Sequence, residues 1–312
     1  NDFGEYLEDS VEVRSAIDDA IAKIDRKLIL IDYLGRLFSG LSLGSILLLA
    51  AMGLAITYGL LGVINLAHGE MLMIGAYATY VTQQLFTSFL PNFFDLYILA
   101  AIPVAFLSAA VIGVLLERTV IRWLYGRPLE TLLATWGISL FLIQSVRQIF
   151  GAQNVEVSNP NWLSGGVELW NVVMPFNRIA IIIFAVFVLG GIWLVISQTR
   201  LGLFIRSVTQ NRSMASCVGV NTAKIDMLAF GLGSGIAGLA GVALSQIGNV
   251  GPDLGQAYII DSFMVVVLGG VGQLAGTVYA AIGLGGFSKL IEPSVGAVLA
   301  KIVILVFIKL HG

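Results

Sequence analysis

Apolar residues recur along this chain in long runs that short polar segments separate. Each run has about 20 or more residues, which matches the roughly 30 Å hydrocarbon core that a membrane helix must cross. The clear runs cover residues 37–61, 66–89, 94–117, 131–150, 178–197 and 227–248. Together with the less regular last third, the pattern predicts an all-α, polytopic transmembrane helical bundle with about eight or nine spans.

The last third of the chain interrupts its own hydrophobic pattern. A short apolar run at 257–270 is followed by a glycine-rich break at 271–276, a resumed run at 277–290 and a closing run at 295–310. The region therefore forms either two short spans or one broken or re-entrant helix. Irregular backbone at membrane depth is tolerated where it lines a cavity. The glycine-rich break is therefore either part of a translocation path or a simple turn. The candidate path residues are Gly269, Gly270 and Gly272.

The first 33 residues differ from the rest because they combine many acidic residues with a helical apolar stripe. The stripe has a spacing of three or four residues, which predicts an amphipathic helix, and consists of Val13, Ile17, Ile21, Ile24, Leu28 and Ile31. We expect residues 1–33 to form an extramembrane, periplasmic helix, the remnant of a longer N-terminal region, and residues 34–312 to form the transmembrane domain. We do not expect Asn1 to begin an intact signal peptide, since neither a basic segment nor an apolar core follows it.

Basic residues concentrate in two of the connecting segments. Lys and Arg are frequent in 118–130 and 198–224 and absent from the connections at 86–95 and 151–177. Because Lys and Arg accumulate in cytoplasmic loops, the two basic segments are predicted to be cytoplasmic and the N-terminus to lie outside.

Composition narrows the function classes. Hydrophobic residues make up 57% and charged residues 12% of the chain, whereas soluble domains average about 25% charged residues. A net charge of −2 provides no basic surface for nucleic acid. A single cysteine, Cys217, excludes an internal disulfide framework and a cysteine metal cluster.

The run at 227–248 contains small residues at the spacing that lets membrane helices approach closely. They are Gly231, Gly235, Gly238 and Gly241.

The sequence also lacks motifs for chemistry or for its own energy supply. It contains no Gly-x-x-x-x-Gly-Lys-Ser/Thr phosphate loop. Its two histidines, His68 and His311, form no His-Glu-x-x-His pair, and Cys217 has no histidine near it in sequence. We therefore expect a non-enzyme that binds no metal or other cofactor, which makes an intramembrane enzyme a poor alternative.

Three polar residues stand inside an otherwise apolar stretch: Asn65, His68 and Glu70. Polar groups at membrane depth are costly and usually face a bundle interior or a water-filled path. They are either buried hydrogen-bonding groups that lock the first helices together or the polar lining of a translocation path. Further path residues are expected at the outer ends of the late spans, namely Gln246, Asn249, Asp253 and Asp261.

Segment 199–224 is too polar to span a membrane and too patterned for a simple linker. A helix from Arg206 to Val218, ended by Gly219, would suit docking onto a soluble partner. The alternative is a helix that lies on the lipid headgroups. The residues expected to couple the segment to such a partner are Arg206, Gln210, Asn211, Met214, Ala215 and Gly219.

Three blocks occur in the order found in one known family. They are residues 65–70 (Asn-Leu-Ala-His-Gly-Glu), 214–220 (Met-Ala-Ser-Cys-Val-Gly-Val) and 267–276 (Val-Leu-Gly-Gly-Val-Gly-Gln-Leu-Ala-Gly). The chain from residue 34 onward resembles permease subunits of ATP-binding-cassette importers for branched-chain amino acids and urea, and residues 247–263 look most like the urea branch. The chain departs from the family in two respects: little of the longer N-terminal region is present, and the chain stops at Ile-Lys-Leu-His-Gly where relatives continue into a basic tail.

This resemblance implies a multi-pass protein of the bacterial inner membrane that pairs with a sister permease, identical or related. Two cytoplasmic ATPases would bind ATP and Mg²⁺, and a periplasmic binding protein would deliver the solute. The expected solute is urea or a close small polar molecule. A branched-chain amino acid permease and a passive channel are the alternatives. Lys301 lies inside the final apolar run, where we expect its long side chain to snorkel.

Overall fold

The computed structural model describes residues 11–62, 64–169, 172–270 and 272–296, together with residues 299, 301, 302 and 306. These residues form ten named α-helices and one two-stranded sheet. The helices are α1 (Val11–Leu61), α2 (His68–Phe89), α3 (Tyr97–Thr119), α4 (Pro128–Phe150), α5 (Phe176–Gln198), α6 (Arg200–Gln210), α7 (Arg212–Cys217), α8 (Thr222–Ser245), α9 (Leu254–Gly269) and α10 (Leu274–Val295).

Six helical segments of the described chain are long and apolar enough to cross a membrane. This finding confirms the polytopic helical class, whereas the expected count of eight or nine spans is not confirmed. The six segments are Ser15–Leu61, Pro91–Trp123, Pro128–Phe150, Phe176–Gln198, Thr222–Ser245 and Leu274–Pro293.

The N-terminal region does not form a helix separate from the first span. Helix α1 is continuous for 51 residues, across the boundary expected at residue 33. The apolar stripe before that boundary stays exposed, with Ile24 at 58% and Leu28 at 55% of their surface accessible. Residues 1–10 lie outside the described part of the chain. The separate amphipathic helix is therefore not confirmed.

Helix α8 lies at the centre of the bundle and packs on α1, α2 and α3. Its glycines allow this approach: a Cβ on Gly238 would lie 2.6 Å from the carbonyl oxygen of Ala105, and one on Gly241 would lie 2.1 Å from that of Leu72. The predicted packing role of the small residues in this helix is confirmed.

The two basic segments lie at the same end of the bundle. Arg212, in the second segment, forms an ion pair with Asp226 of α8. Its guanidinium also stacks on the ring of Tyr125, in the first segment, at 4.2 Å from the ring centre. This shared end agrees with the alternation of loop charge, and its assignment to the cytoplasm remains a prediction.

The predicted single helix from Arg206 to Val218 is wrong, because Asn211 divides it into α6 and α7. Asn211 has an extended backbone, with φ −155° and ψ 97°. Its side-chain oxygen accepts a hydrogen bond from the amide of Met214 at 2.9 Å. Asparagine favours this N-cap geometry over a helix interior.

The connection at 151–177 contains a β-hairpin that the all-α prediction missed. Strands β1 (Gly166–Leu169) and β2 (Val172–Pro175) are antiparallel, with Val167 opposite Met174. β-Branched residues such as Val167 and Val173 favour the extended conformation. A short antiparallel pair can stand on a predominantly helical bundle without altering its class.

The glycine-rich break in the last third separates two helices. Gly270 and Gly272 have φ values of 80° and 78°, which only glycine adopts readily. The backbones of Gly269 and Gly276 are in contact, so that a Cβ on Gly276 would lie 1.8 Å from the carbonyl oxygen of Gly269. Of the two helices, α10 is long enough to span a membrane and α9 is shorter. The choice between two short spans and one broken helix stays a prediction.

The closing run at 295–310 lies mostly outside the described residues. Lys301 is described, and its ammonium lies 2.8 Å from the carboxylate of Asp261. An opposite charge therefore lies within reach on α9, and the expected snorkelling stays a prediction. Pairing lowers the cost of holding both charges among apolar helices.

Candidate functional site

Helix α2 begins inside the bundle and not at its end. Its first residue, His68, places Nε2 3.1 Å from the carbonyl oxygen of Ala50, which lies eleven residues before the end of α1. Glu70 bonds to Ser139, which lies eleven residues after the start of α4. Eleven residues of helix rise about 16 Å. Because the hydrocarbon core is roughly 30 Å thick, the start of α2 lies near the middle of the membrane.

The three polar residues at this start are all buried. Asn65, His68 and Glu70 expose 1%, 0% and 1% of their surfaces. The Asn65 side chain accepts a hydrogen bond from the amide of Ala67 at 3.1 Å. The hydroxyl of Ser139 donates to Glu70 Oε1 at 2.8 Å. We call Asn65, His68 and Glu70 the polar layer; its members bond to α1, to α4 and to the local backbone.

The polar layer retains hydrogen-bonding capacity that the described residues do not use. His68 Nδ1 and Glu70 Oε2 are buried without a partner there, as is the hydroxyl of Tyr77 farther along α2. An unsatisfied buried polar atom costs about 1–3 kcal/mol. The layer thus combines a locking role, in the bonds to Ala50 and Ser139, with free polar atoms suited to water or a passing solute.

A second helix begins beside this layer. Gly69 of α2 and Gly255 of α9 are in backbone contact, and a Cβ on either would lie 2.6 Å or less from the carbonyl oxygen of the other. Helix N-termini present unpaired amides and a partial positive charge. In transporters, discontinuous helices direct such ends at anionic groups of the substrate near the midplane. The first turns of α2 and α9 meet at this contact.

The residues expected at the outer mouth separate into three places. Asn249 is exposed and shares a cavity of about 480 Å³ with Asp253, which pairs with Arg147 at 2.7 Å. Gln246 is buried, and its side-chain oxygen accepts from the hydroxyl of Tyr97 at 3.3 Å. Asp261 lines a neighbouring cavity of about 240 Å³. Gln246 is therefore packed inside the bundle, whereas Asn249 and Asp253 border the cavity.

The glycines of the broken region lie in the connection between α9 and α10. Gly269 ends α9 in the close contact with Gly276 described above, and Gly270 and Gly272 form the turn. Their geometry is explained by this turn. A role in the translocation path stays a prediction for them.

The residues expected to contact an ATPase lie in α6, α7 and the turn after them. Arg206 and Gln210 are exposed on α6. Met214 exposes 61% of its surface, whereas Ala215 exposes 4% and packs inward. Gly219 has φ 87° and borders an apolar cavity of about 520 Å³. This face combines exposed polar residues with the apolar side chain of Met214, which suits a soluble partner.

The ionic contact of Arg212 was not predicted from the sequence. Asp226, its partner, is fully buried, and burial raises the pKa of the Tyr125 phenol beside it above the ordinary value. Tyr125 is therefore neutral at physiological pH and offers its ring face to the cation. An acidic residue in the first turns of an apolar span, close to an arginine-rich segment, was the available signal.

Comparisons with known proteins agree with this arrangement. Residues 36–310 match the family model described as "Branched-chain amino acid transport system / permease component". The high-affinity branched-chain amino acid transport system permease protein BraD of Pseudomonas aeruginosa is 32% identical over 260 residues, covering 81% of this chain and 84% of that protein. The corresponding LivH protein of Salmonella typhimurium is 30% identical over 258 residues, with the same two coverages.

A more distant relative is the probable branched-chain amino acid transport permease protein LivH of Methanocaldococcus jannaschii. It is 25% identical over 244 residues, covering 74% of this chain and 72% of that protein. No solved structure matches the chain. The family and the six membrane-capable helices support the predicted location, a multi-pass protein of the inner membrane. The chain belongs to the branched-chain amino acid transport system permease family.

Proposed function

We propose that this chain is a permease subunit of an ATP-driven importer of branched-chain amino acids. The observation that carries the proposal is the family match over residues 36–310, supported by two relatives of at least 30% identity across most of both chains. None of the three relatives named above is described as a urea permease. Branched-chain amino acids therefore replace urea as the proposed solute.

The proposed complex contains this chain, a sister permease, two cytoplasmic ATPases and a solute-binding protein. ATP and Mg²⁺ would be held by the ATPases, since the phosphate-binding loop is absent from this sequence. The binding protein would deliver the solute at the end of the bundle opposite to the basic segments.

Coupling would follow one physical connection through the chain. An ATPase would contact α6 and α7, and Arg212 would transmit the movement to α8 through Asp226. Helix α8 packs against α1 and α2, the helices that frame the polar layer. Rocking of α8 would open the layer alternately to the two sides. Most of the specificity would reside in the binding protein, so substitutions in the path should change the rate of uptake more than the choice of solute.

The test is reconstitution of the complete complex in proteoliposomes, followed by uptake of labelled leucine and labelled urea with and without ATP. We expect leucine uptake that requires both ATP and the binding protein, and little uptake of urea. Urea uptake under the same requirements would keep the importer and change its solute. Flux of either solute without ATP would contradict an importer and indicate a passive channel.

A further inference from the structure

The 480 Å³ cavity described above lies at the end of the bundle opposite to the basic segments. Residues of α1, the α4–α5 connection, the start of α5, the end of α8, the α8–α9 connection, α9 and α10 line it. Leu254, in its wall, precedes Gly255, which contacts Gly69 of the polar layer's helix. The wall of the cavity is therefore adjacent to the start of α2. Its volume is in the range of small-molecule sites, which is roughly 300–1,000 Å³.

Three charged residues line this outer cavity: Arg178, Asp253 and Lys289. Asp253 pairs with Arg147 at 2.7 Å, and Lys289 pairs with Glu292 at 2.6 Å. Arg178 forms no ion pair within the described part of the chain. One cationic side chain therefore faces the cavity without a neutralising partner, which favours an anionic group on the ligand.

A buried hydroxyl lies in the same wall. Ser42 of α1 is 0% exposed, and its Oγ has no hydrogen-bond partner among the described residues. A carboxylate held by Arg178 could accept a hydrogen bond from such a hydroxyl. The Asp253 carboxylate pairs with Arg147 through Oδ1 and keeps 65% of its side chain accessible. Its second oxygen can therefore accept a hydrogen bond from an ammonium group in the same space.

The rest of the wall is largely apolar and includes Leu43, Ile46 and Leu254. These side chains suit a branched aliphatic group. A neutral polar solute such as urea gains little from an unpaired guanidinium and nothing from aliphatic walls.

We propose that the outer cavity binds an amino acid zwitterion, with the carboxylate at Arg178 and Ser42, the ammonium at Asp253 and the aliphatic side chain on Leu43, Ile46 and Leu254. The inference rests on the proposed function and adds to it a solute-receiving site within the permease. From this site the solute passes along Leu254 to the polar layer.

The test measures binding to the assembled permease and ATPase complex in lipid nanodiscs, without the solute-binding protein. The probes are leucine, isoamylamine, which is leucine without its carboxylate, and urea. For the native complex we expect leucine to bind at least about tenfold more tightly than isoamylamine. Isoamylamine lacks the carboxylate and so cannot form the charged hydrogen bond to Arg178. Arg178→Gln should abolish this preference, and Arg178→Lys should retain part of it.

Arg26→Gln is the matched control, because Arg26 is an exposed arginine of α1 that lines none of the cavities described above. It should leave all three affinities unchanged. Leucine binding that is equally tight in Arg178→Gln would overturn the site. Uptake assays separate this failure from a failure of the proposed function. If the native complex imports leucine with ATP but does not bind it in nanodiscs, the site is wrong and the function stands; if it imports no leucine, the proposed function itself is wrong.

Discussion

Arg212 of α7 forms an ion pair with Asp226 of α8, and the Asp226 side chain is completely buried while Arg212 keeps 38% of its side chain exposed. The pair connects the segment expected to meet an ATPase with the central helix of the bundle. Tyr125 adds a third contact, because its ring lies 4.2 Å from the guanidinium carbon. The geometry joins two connecting segments and the central helix at one end of the protein.

Arg212→Gln should destabilise the protein because it leaves the buried Asp226 carboxylate without a counter-charge. Removing one partner of a fully buried pair costs roughly 3–5 kcal/mol. We expect about 2 kcal/mol here, because Arg212 is partly solvated. The melting temperature of the purified permease complex measures the effect. The double variant Arg212→Gln/Asp226→Asn should recover part of the loss, and equal melting temperatures of the single and double variants would contradict the pairing.

The same substitution should uncouple ATP hydrolysis from transport. In Arg212→Gln the ATPases should still bind, while ATP-dependent leucine uptake per ATP hydrolysed should fall several-fold. Arg200→Gln is the control, because Arg200 is an exposed arginine of α6 without an ion pair in the described chain. It should change the free energy of unfolding by no more than the roughly 0.5 kcal/mol typical of surface substitutions. Normal uptake per ATP in Arg212→Gln would remove the proposed transmission path.

Ser139→Ala tests the hydrogen bond that holds Glu70 in the polar layer. Its loss leaves Glu70 Oε1 as a second buried oxygen without a partner, which should cost about 1–3 kcal/mol and slow leucine uptake. Ser145→Ala on the same helix is the control, since the Ser145 hydroxyl donates to the carbonyl of Phe141 in its own helix at 2.8 Å. Thermal unfolding and uptake rate are the measurements. Equal behaviour of the two variants would show that the bond to Glu70 is unimportant.

Gly75→Ala should disrupt the packing of α2 on α8. The added Cβ would lie 2.1 Å from the carbonyl oxygen of Gly238, and backbone cannot yield as a flexible side chain can. Overpacking of this kind costs about 1–3 kcal/mol. Gly190→Ala on α5 is the control, because a Cβ added there would meet no heavy atom within 4 Å among the described residues. The fraction of monodisperse protein after heating should fall for Gly75→Ala alone; a similar loss for both would point to a general effect of replacing glycine.

Met214→Glu should prevent attachment of the ATPases without unfolding the permease. Met214 is 61% exposed, so a charge there costs the isolated permease little, whereas it would disfavour an apolar contact with a partner. Co-purification of the ATPases measures attachment, and circular dichroism checks the fold. Cys217→Ser, at another exposed position of α7, should retain attachment. Intact attachment and transport in Met214→Glu would exclude α7 from the docking face.

Length and hydropathy alone determined most of the helices, because the need to satisfy every backbone hydrogen bond in lipid allows few alternatives to a long apolar helix. The run at 131–150 corresponds to Pro128–Phe150, and the run at 178–197 to Phe176–Gln198. The sequence also identified Asn65, His68 and Glu70 as unusual, since polar residues rarely stand in such a stretch. Hydropathy carries no signal for a helix that begins mid-membrane, so the depth of α2 was not foreseeable.

Only the tertiary structure decided which residues meet. Ser139 beside Glu70, Gly255 beside Gly69 and Asp226 beside Arg212 are contacts between separate elements. Such contacts depend on the relative rotation and height of helices, which side-chain packing in three dimensions sets. The outer cavity arises in the same way, because five separate parts of the chain supply its wall. The chain's local chemistry therefore determined the membrane helices and the polar candidates, and their packing determined the site.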